Sequence, residues 1–168
     1  MQYVREAGSD PSFLLKALSE ASGELRRSFH GLTRRQLRVP AVGVDEGWRL
    51  KAIPFHMRET ERIALDQYRM ILAFPASEIE HNDLDDIPFE EDYRDEDAEE
   101  LLEEFHYLRR ESSYLLWDSS PADWGRSGVD PYRGHLTVLQ IAREMYQHDL
   151  EHLWQARRMI DSLASVRR

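Results

Sequence analysis

Residues 147–153 read Gln-His-Asp-Leu-Glu-His-Leu and are the most informative short stretch of this 168-residue chain. His148 and His152 are four residues apart, so on a helix they lie one turn apart on one face and can share a metal ion. A chain with seven histidines can contain such a pair by chance, so the spacing alone is weak evidence. His148 follows Met145 by three residues and His152 precedes Ala156 by four, which places both rings at the edge of an apolar stripe. The stretch therefore predicts a helix whose two histidines border the protein interior.

Apolar residues recur at a spacing near 3.6 in four segments, which predicts helices at about residues 10–29, 50–74, 97–117 and 137–163. No segment of useful length alternates with a period of two, so we expect an all-α four-helix bundle. Pro54 either marks the first turn of the second helix or kinks that helix, because proline lacks an amide donor. The connections between helices are long for a minimal bundle, and we expect at least one of them to cover an end or a groove.

The composition limits the classes of function. The chain has 22 basic and 32 acidic residues, a formal charge of −10, which argues against general nucleic-acid binding and against docking on anionic lipid. It contains no cysteine, so disulfides and thiolate metal sites are excluded and a bound transition metal would need imidazole or carboxylate ligands. The first residues do not read as a signal peptide, and no apolar run approaches the length of a membrane span. We expect one soluble, cytoplasmic domain over residues 1–168.

The negative charge is concentrated in one segment. Residues 78–104 hold 15 acidic residues against Arg94 alone, a net charge of −14, so the rest of the chain carries +4. Most of this segment belongs to the connection at about residues 76–96, which we interpret as a solvated connector running into an acidic helix start. A cation-binding or partner-docking loop is the alternative, although the segment contains no EF-hand loop.

A third imidazole could come from the second predicted helix. His56 stands three residues after Ile53 and seven before Ile63, again at the edge of an apolar stripe. Three neutral imidazoles from two helices would leave one coordination position of a metal ion open for water or substrate. From periodicity alone, a core or boundary histidine that is hydrogen-bonded to a neighbour is the better interpretation of His56.

Two sequence elements resemble the DinB/YfiT-like superfamily of four-helix metal-binding proteins. Trp48 stands eight residues before His56, and His56-Met-Arg-Glu59-Thr-Glu61 is similar to the W-x7-H-L-x-D-x-E element of that family. Residues 136–138 followed by residues 148–152 resemble its T-L…H-D-x-x-H element. The resemblance covers most of the chain. Two departures are a proline two residues before the first histidine and Glu59 in place of the commoner aspartate.

The resemblance implies a function as well as a fold. It implies an up-down-down-up bundle, a homodimer, and a divalent metal held by His56, His148 and His152. Several members of the family are transferases that use a low-molecular-weight thiol such as bacillithiol or mycothiol, and others are described as metal-dependent hydrolases. Zn, Ni and Fe suit imidazole ligands about equally well.

Three neutral imidazoles leave the full +2 charge on the ion, which can activate either a water or a thiol. We favour transfer of an external thiol to a small electrophile, because a chain without cysteine supplies no thiol of its own. Hydrolysis and a non-enzymatic metal- or ligand-binding module are the alternatives.

Two carboxylates are candidates for positioning the imidazoles or for handling a proton. Glu144 precedes His148 by one helical turn, and Glu59 follows His56 by about one turn. The alternative for each is an exposed helical salt bridge with a nearby arginine, which contributes little to stability.

Overall fold

The computed structural model describes residues 10–165 and contains four long helices: α1 (Pro11–Phe29), α2 (Ala52–Ala73), α3 (Ala98–Trp117) and α4 (Val138–Ser165). The prediction of four helices is confirmed, and no helix end differs from its predicted position by more than two residues. Two single-turn helices, Arg34–Leu37 and Glu90–Tyr93, lie in the connections. Within residues 10–165, no helix is long and apolar enough to cross a lipid bilayer.

The helix starts follow from local capping chemistry. The Asp10 carboxylate accepts a hydrogen bond from Ser12 N at 2.9 Å, and the Asp97 carboxylate accepts one from Glu99 N at 2.9 Å. Both satisfy amide groups that have no partner within the helix. Pro54 is the third residue of α2, where the amide that proline lacks would have no intrahelical partner, so it marks the first turn and does not kink the helix.

Two apolar clusters at opposite ends of the bundle give the direction of each helix. One cluster joins the beginning of α1, the end of α2, the end of α3 and the beginning of α4; it includes Leu14, Leu18, Tyr68, Ile71, Leu116, Ile141 and Met145. The other cluster joins the remaining ends and includes Leu25, Phe29, Ile53, Met57, Leu102, Phe105, Ala156 and Met159. Helices α1 and α4 therefore run in one direction, and α2 and α3 run in the other, which is the up-down-down-up arrangement.

This arrangement explains the long acidic connection. Because α2 and α3 run in the same direction, residues 74–97 must return along the length of the bundle, about 30 Å for a helix of this size. We call this segment the crossover. Most of its carboxylates are exposed, as expected of a solvated connector, but Ile79, Asn82 and Tyr93 are buried and hold it against the helices.

A small hairpin fixes the path of the crossover. Strands β1 (Ser127–Asp130) and β2 (Gly134–Thr137) pair antiparallel between α3 and α4. The crossover pairs with β1 through hydrogen bonds from Val129 N to Ser77 O at 2.8 Å and from Ile79 N to Val129 O at 3.0 Å. A side chain at Gly128 would meet Ile79 at 2.6 Å, so glycine permits this close approach. The hairpin was not predicted, because strands of four residues are too short to show alternation.

Candidate metal centre

Three histidines from two helices converge in the interior of the bundle. His56 lies in the first turns of α2, and His148 and His152 lie one turn apart in the middle of α4. Their candidate ligand atoms all lie within 4.8 Å of one another, and the His56 and His148 Nε2 atoms are 2.8 Å apart. Each residue is at most 7% exposed. The predicted trio is therefore a spatial cluster.

Neighbouring side chains orient two of the rings. The Trp48 indole packs against the His56 ring at 5.4 Å and against the His152 ring at 5.1 Å, measured between ring centroids. His152 Nδ1–H donates a hydrogen bond to Gln155 Oε1 at 2.6 Å, which leaves the lone pair of His152 on Nε2. Trp48 is held in a loop whose buried Asp45 carboxylate accepts hydrogen bonds from Arg158 at 2.6 and 3.1 Å. The rings are thus fixed from outside the cluster.

Burial keeps the three imidazoles neutral. Loss of hydration lowers the pKa of His56 and of His152 to about 4, and it lowers the pKa of His148 well below the ordinary value. The other two imidazoles lower the pKa of His148 further. Neutral imidazole is the form that ligates a metal ion, so the rings are in the binding state at pH 7 without losing a proton.

The donor set fits a divalent transition-metal ion. The Nε2 atoms of His56 and His148 face each other at 2.8 Å, and the lone pair of His152 also lies on Nε2. A shared proton can join only two of the three imidazoles by a hydrogen bond. A metal cation can accept the lone pairs of all three rings. Three imidazoles also form a ligand set that leaves a coordination position open.

A second buried polar cluster, absent from the sequence-based expectations, lies beside the histidines. The Arg109 guanidinium forms ion pairs with Asp149 and, at 2.8 Å, with Glu61, and it donates to Leu18 O at 2.9 Å. Ser112 Oγ donates to Glu61 at 2.6 Å. We call Arg109, Glu61, Asp149 and Ser112 the arginine network. It joins α1, α2, α3 and α4 at one level of the bundle.

Burial and neighbouring charges set the pKa values in the arginine network. Burial raises the pKa of Asp149 to about 6, against the opposing effect of Arg109. Burial alone would lower the pKa of Arg109, but the charges of Asp149 and Glu61 outweigh it and raise that pKa. A sequence signal did exist: Asp149 and Arg109 each stand four residues after a core residue, Met145 and Phe105, on an inward helix face.

A cavity of about 380 Å³ opens beside His148 between the crossover and α4. Its wall contains four carboxylates, those of Asp83, Asp85, Glu144 and Glu151. Its two basic groups are already engaged: His81 donates to Asp130 at 2.8 Å, and Arg133 forms a bidentate ion pair with Glu144 at 2.6 and 2.9 Å. The acidic crossover, interpreted from the sequence as a solvated connector, therefore contributes two of the four carboxylates at this cavity.

Asn82 is a further polar group at this cavity that was not predicted. Its Nδ2 donates to Thr60 O at 2.9 Å, which fixes the amide orientation, and its buried Oδ1 has no partner among the described residues. The Asn82 side chain therefore holds the crossover against α2 next to the cavity.

The structure separates the two candidate carboxylates. Glu144 lines the cavity, where it is paired with Arg133. Glu59 lies at the helix surface and accepts hydrogen bonds from Arg58 at 3.0 Å and Arg62 at 3.4 Å. Within residues 10–165, neither carboxylate is hydrogen-bonded to a histidine of the cluster.

Comparisons with known proteins agree with this fold. A sequence model described as the DinB superfamily matches residues 17–156. Among solved structures, YfiT from Bacillus subtilis, described as a probable metal-dependent hydrolase with an unusual four-helix bundle topology, superposes with a TM-score of 0.77. It is 15% identical in sequence, and the match covers 92% of this chain and 87% of that one. At this identity the likeness concerns the fold. No curated protein matches the chain.

Proposed function

This chain belongs to the DinB superfamily, and on that premise we propose that it is a single-domain protein that holds a divalent metal ion on His56, His148 and His152 and activates a nucleophile there. The observation that carries the proposal is the convergence of three buried, neutral imidazoles from two helices, whose candidate ligand atoms lie within 4.8 Å of one another. When bound, a Zn, Ni or Fe ion would act as a Lewis acid and lower the pKa of a water or thiol at its open position.

The chain's own residues do the remaining work. Trp48 and Gln155 orient the rings, the hydrophobic surroundings keep the imidazoles neutral, and the cavity beside His148 admits a small substrate. Glu144 is the better placed of the two candidates for proton handling, because it lines that cavity. Glu59 remains a candidate only through its position one turn after His56.

The charge of the cavity favours water as the nucleophile. A low-molecular-weight thiol such as bacillithiol or mycothiol has to enter through the cavity, where the carboxylates of the wall oppose any anionic form of it, whereas water is neutral on entry. We therefore place hydrolysis of a small neutral or cationic electrophile first, in line with the description of YfiT. Thiol transfer is the second candidate, supported by a chain that lacks cysteine and would depend on an external thiol.

Metal analysis tests the centre itself. Purified protein resupplied with Zn, Ni or Fe should contain about one ion per chain by mass spectrometry. His148→Ala should lose that ion, whereas His135→Ala, which changes an exposed histidine of the hairpin, should keep it. Wild-type protein without metal after resupply would refute the proposal.

Turnover assays on the metal-loaded protein separate the reaction classes. Hydrolysis of an ester or amide panel without added thiol supports the hydrolase. A rate on a chlorinated nitrobenzene or on maleylpyruvate that requires added thiol supports the transferase. Stoichiometric metal without either rate supports a non-enzymatic binding module. Glu144→Gln should lower the turnover rate at unchanged metal content, and Glu59→Gln is its comparator. Action in the cytoplasm and assembly as a homodimer belong to the same proposal.

A further inference from the structure

A second cavity lies on the edge of the bundle opposite the histidines. It has a volume of about 600 Å³, larger than the cavity beside His148, and it runs along the groove between α1 and α3. The histidines lie between α2 and α4, so the two cavities open on different faces of the protein. We call this second cavity the α1/α3 groove.

The lining of the α1/α3 groove is basic and contains no carboxylate. Lys16 projects from α1, and Arg109 and Arg110 project from α3. Lys16 Nζ is 3.9 Å from a Glu20 oxygen, but both side chains are largely exposed, so this ion pair neutralises little of the lysine charge. Four serine hydroxyls and His106 add further hydrogen-bonding groups. The groove therefore presents positive charge and donors in a protein whose net charge is −10.

Arg109 lies in the wall of this groove but belongs to the arginine network. Its Nη atoms pair with the carboxylates of Asp149 and Glu61, which offset its charge. Its Nε atom is buried, so a ligand in the groove does not reach it. The cations available to a ligand are therefore those of Lys16 and Arg110.

Two aromatic side chains stand at the same groove. Tyr114 is 65% exposed and Trp117 is 75% exposed, although both rings are large enough to contribute substantially to a core. Flat rings beside cationic side chains form a surface on which an aromatic or apolar body can lie while its charged group reaches the cations.

We propose that the α1/α3 groove binds a small organic anion, with its anionic oxygens at Lys16 and Arg110 and its apolar body on Tyr114 and Trp117. This proposal does not depend on the metal centre. Carboxylates and phosphates share the required chemistry, and cations are excluded by the charge of the lining.

Isothermal titration with matched probes tests the proposal on the full-length protein. Phenylacetate and phenyl phosphate carry the anion, and phenethylamine carries the same ring on a cation. We expect both anions to bind at least about tenfold more tightly than the amine, the effect of charge-assisted hydrogen bonds. The tighter of the two anions identifies whether carboxylate or phosphate is preferred. Equal binding of anion and amine would overturn the proposal.

Variants locate the binding site. Arg110→Glu should weaken binding of the preferred anion about tenfold. Arg157→Glu makes the same charge change at an exposed position of α4 and should change affinity less than about twofold. Binding should persist in His148→Ala, which excludes direct ligation of the anion to a metal. Loss of binding in that folded variant, or equal effects of the two arginine variants, would contradict the assignment.

A spectroscopic signal distinguishes contact from long-range electrostatics. Because Trp117 is exposed, an anion that lies against it should shift the tryptophan emission of the wild-type protein. Trp117→Phe should lose this shift and still bind the anion. An unchanged emission shift in that variant would place the anion elsewhere and refute the site.

Discussion

Two buried polar clusters lie side by side in this bundle and use adjacent residues of α4. Asp149 belongs to the arginine network, and His148 belongs to the histidine cluster. In the arginine network, one guanidinium meets two carboxylates, and Ser112 and Leu18 O complete most of the hydrogen bonds. In the histidine cluster, the candidate ligand atoms of three neutral rings lie within 4.8 Å of one another. Within residues 10–165, the network pairs its charges with other groups of the protein, whereas the cluster brings several neutral lone pairs together.

This difference separates a structural role from a binding role. Buried polar groups that find partners within the chain fix the packing of helices and leave little for a ligand. Converging lone pairs without a shared cation are a cost to the fold unless something binds them. The comparison therefore predicts different responses to substitution: the network should respond in stability, and the cluster should respond in metal binding.

The largest expected effect is on stability at Arg109. Arg109→Met leaves two buried carboxylates without a cation, which should reduce the free energy of unfolding by about 3–5 kcal/mol. Urea denaturation at pH 7 measures this loss. Arg62→Met removes an exposed ion pair with Glu59 on the same bundle and should cost less than about 1 kcal/mol.

A combined variant tests the reason for this loss. Adding Glu61→Gln and Asp149→Asn to Arg109→Met removes the uncompensated charges and should recover part of the lost stability. If Arg109→Met alone costs no more than Arg62→Met, the network is not structural and the comparison fails.

The second expected effect is on metal-linked stability. A metal at a hundred times its dissociation constant should stabilise the wild-type protein by about 2.7 kcal/mol, because it binds the folded state. His148→Ala should lose this increment. Without metal, the same variant should lose less stability than Arg109→Met, because it leaves no buried charge without a partner. Thermal unfolding with and without Zn measures both quantities. Equal stabilisation of the variant and the wild type by Zn would show that the metal binds outside the cluster.

The fold was largely predictable because helical periodicity is a local property. Each long helix has an apolar stripe over five or more turns, so its ends were placed within two residues. The hairpin formed by β1 and β2 was not predicted, because β1 also pairs with Ile79 and its neighbours in the crossover, which are distant in sequence. The path of residues 74–97 along the bundle was not predicted either, because it follows from the directions of α2 and α3 and not from composition.

The candidate site was predictable only in part. His148 and His152 are neighbours on one helix, and His56 was placed with them by a family resemblance. The pairing of Arg109 with Asp149 depends on which helices are adjacent, which periodicity does not give. The charge of the cavity was missed because Asp83 and Asp85 are brought to His148 by the fold of the crossover.

The smallest expected effect is at Asp130, a buried carboxylate near the cavity. Its hydrogen-bond donors are a histidine ring and two backbone amides, and none is an arginine side chain. Its buried carboxylate accepts hydrogen bonds from His81 Nδ1 at 2.8 Å, Tyr132 N at 2.9 Å and Arg133 N at 3.0 Å. Burial alone would raise the pKa of Asp130, but these hydrogen bonds outweigh it and lower that pKa. Because the pKa is lower in the folded than in the unfolded state, the ionised carboxylate stabilises the fold above about pH 4 and less as the pH falls through the folded pKa.

Asp130→Asn should therefore cost about 1.5 kcal/mol at pH 7, the lower end of the range for one hydrogen bond to a charged group. The difference from wild type should shrink as the pH is lowered below about 4. Urea denaturation across this pH range measures the trend, and Asp118→Asn, at an exposed position just after α3, should show none. Metal content should stay at the wild-type value in Asp130→Asn, because the carboxylate is satisfied by the hairpin and not by the histidines. A pH-independent stability difference would show that Asp130 acts only through packing. Loss of metal would show that Asp130 and the histidine cluster act together. Asp130 would then count among the groups that support metal binding.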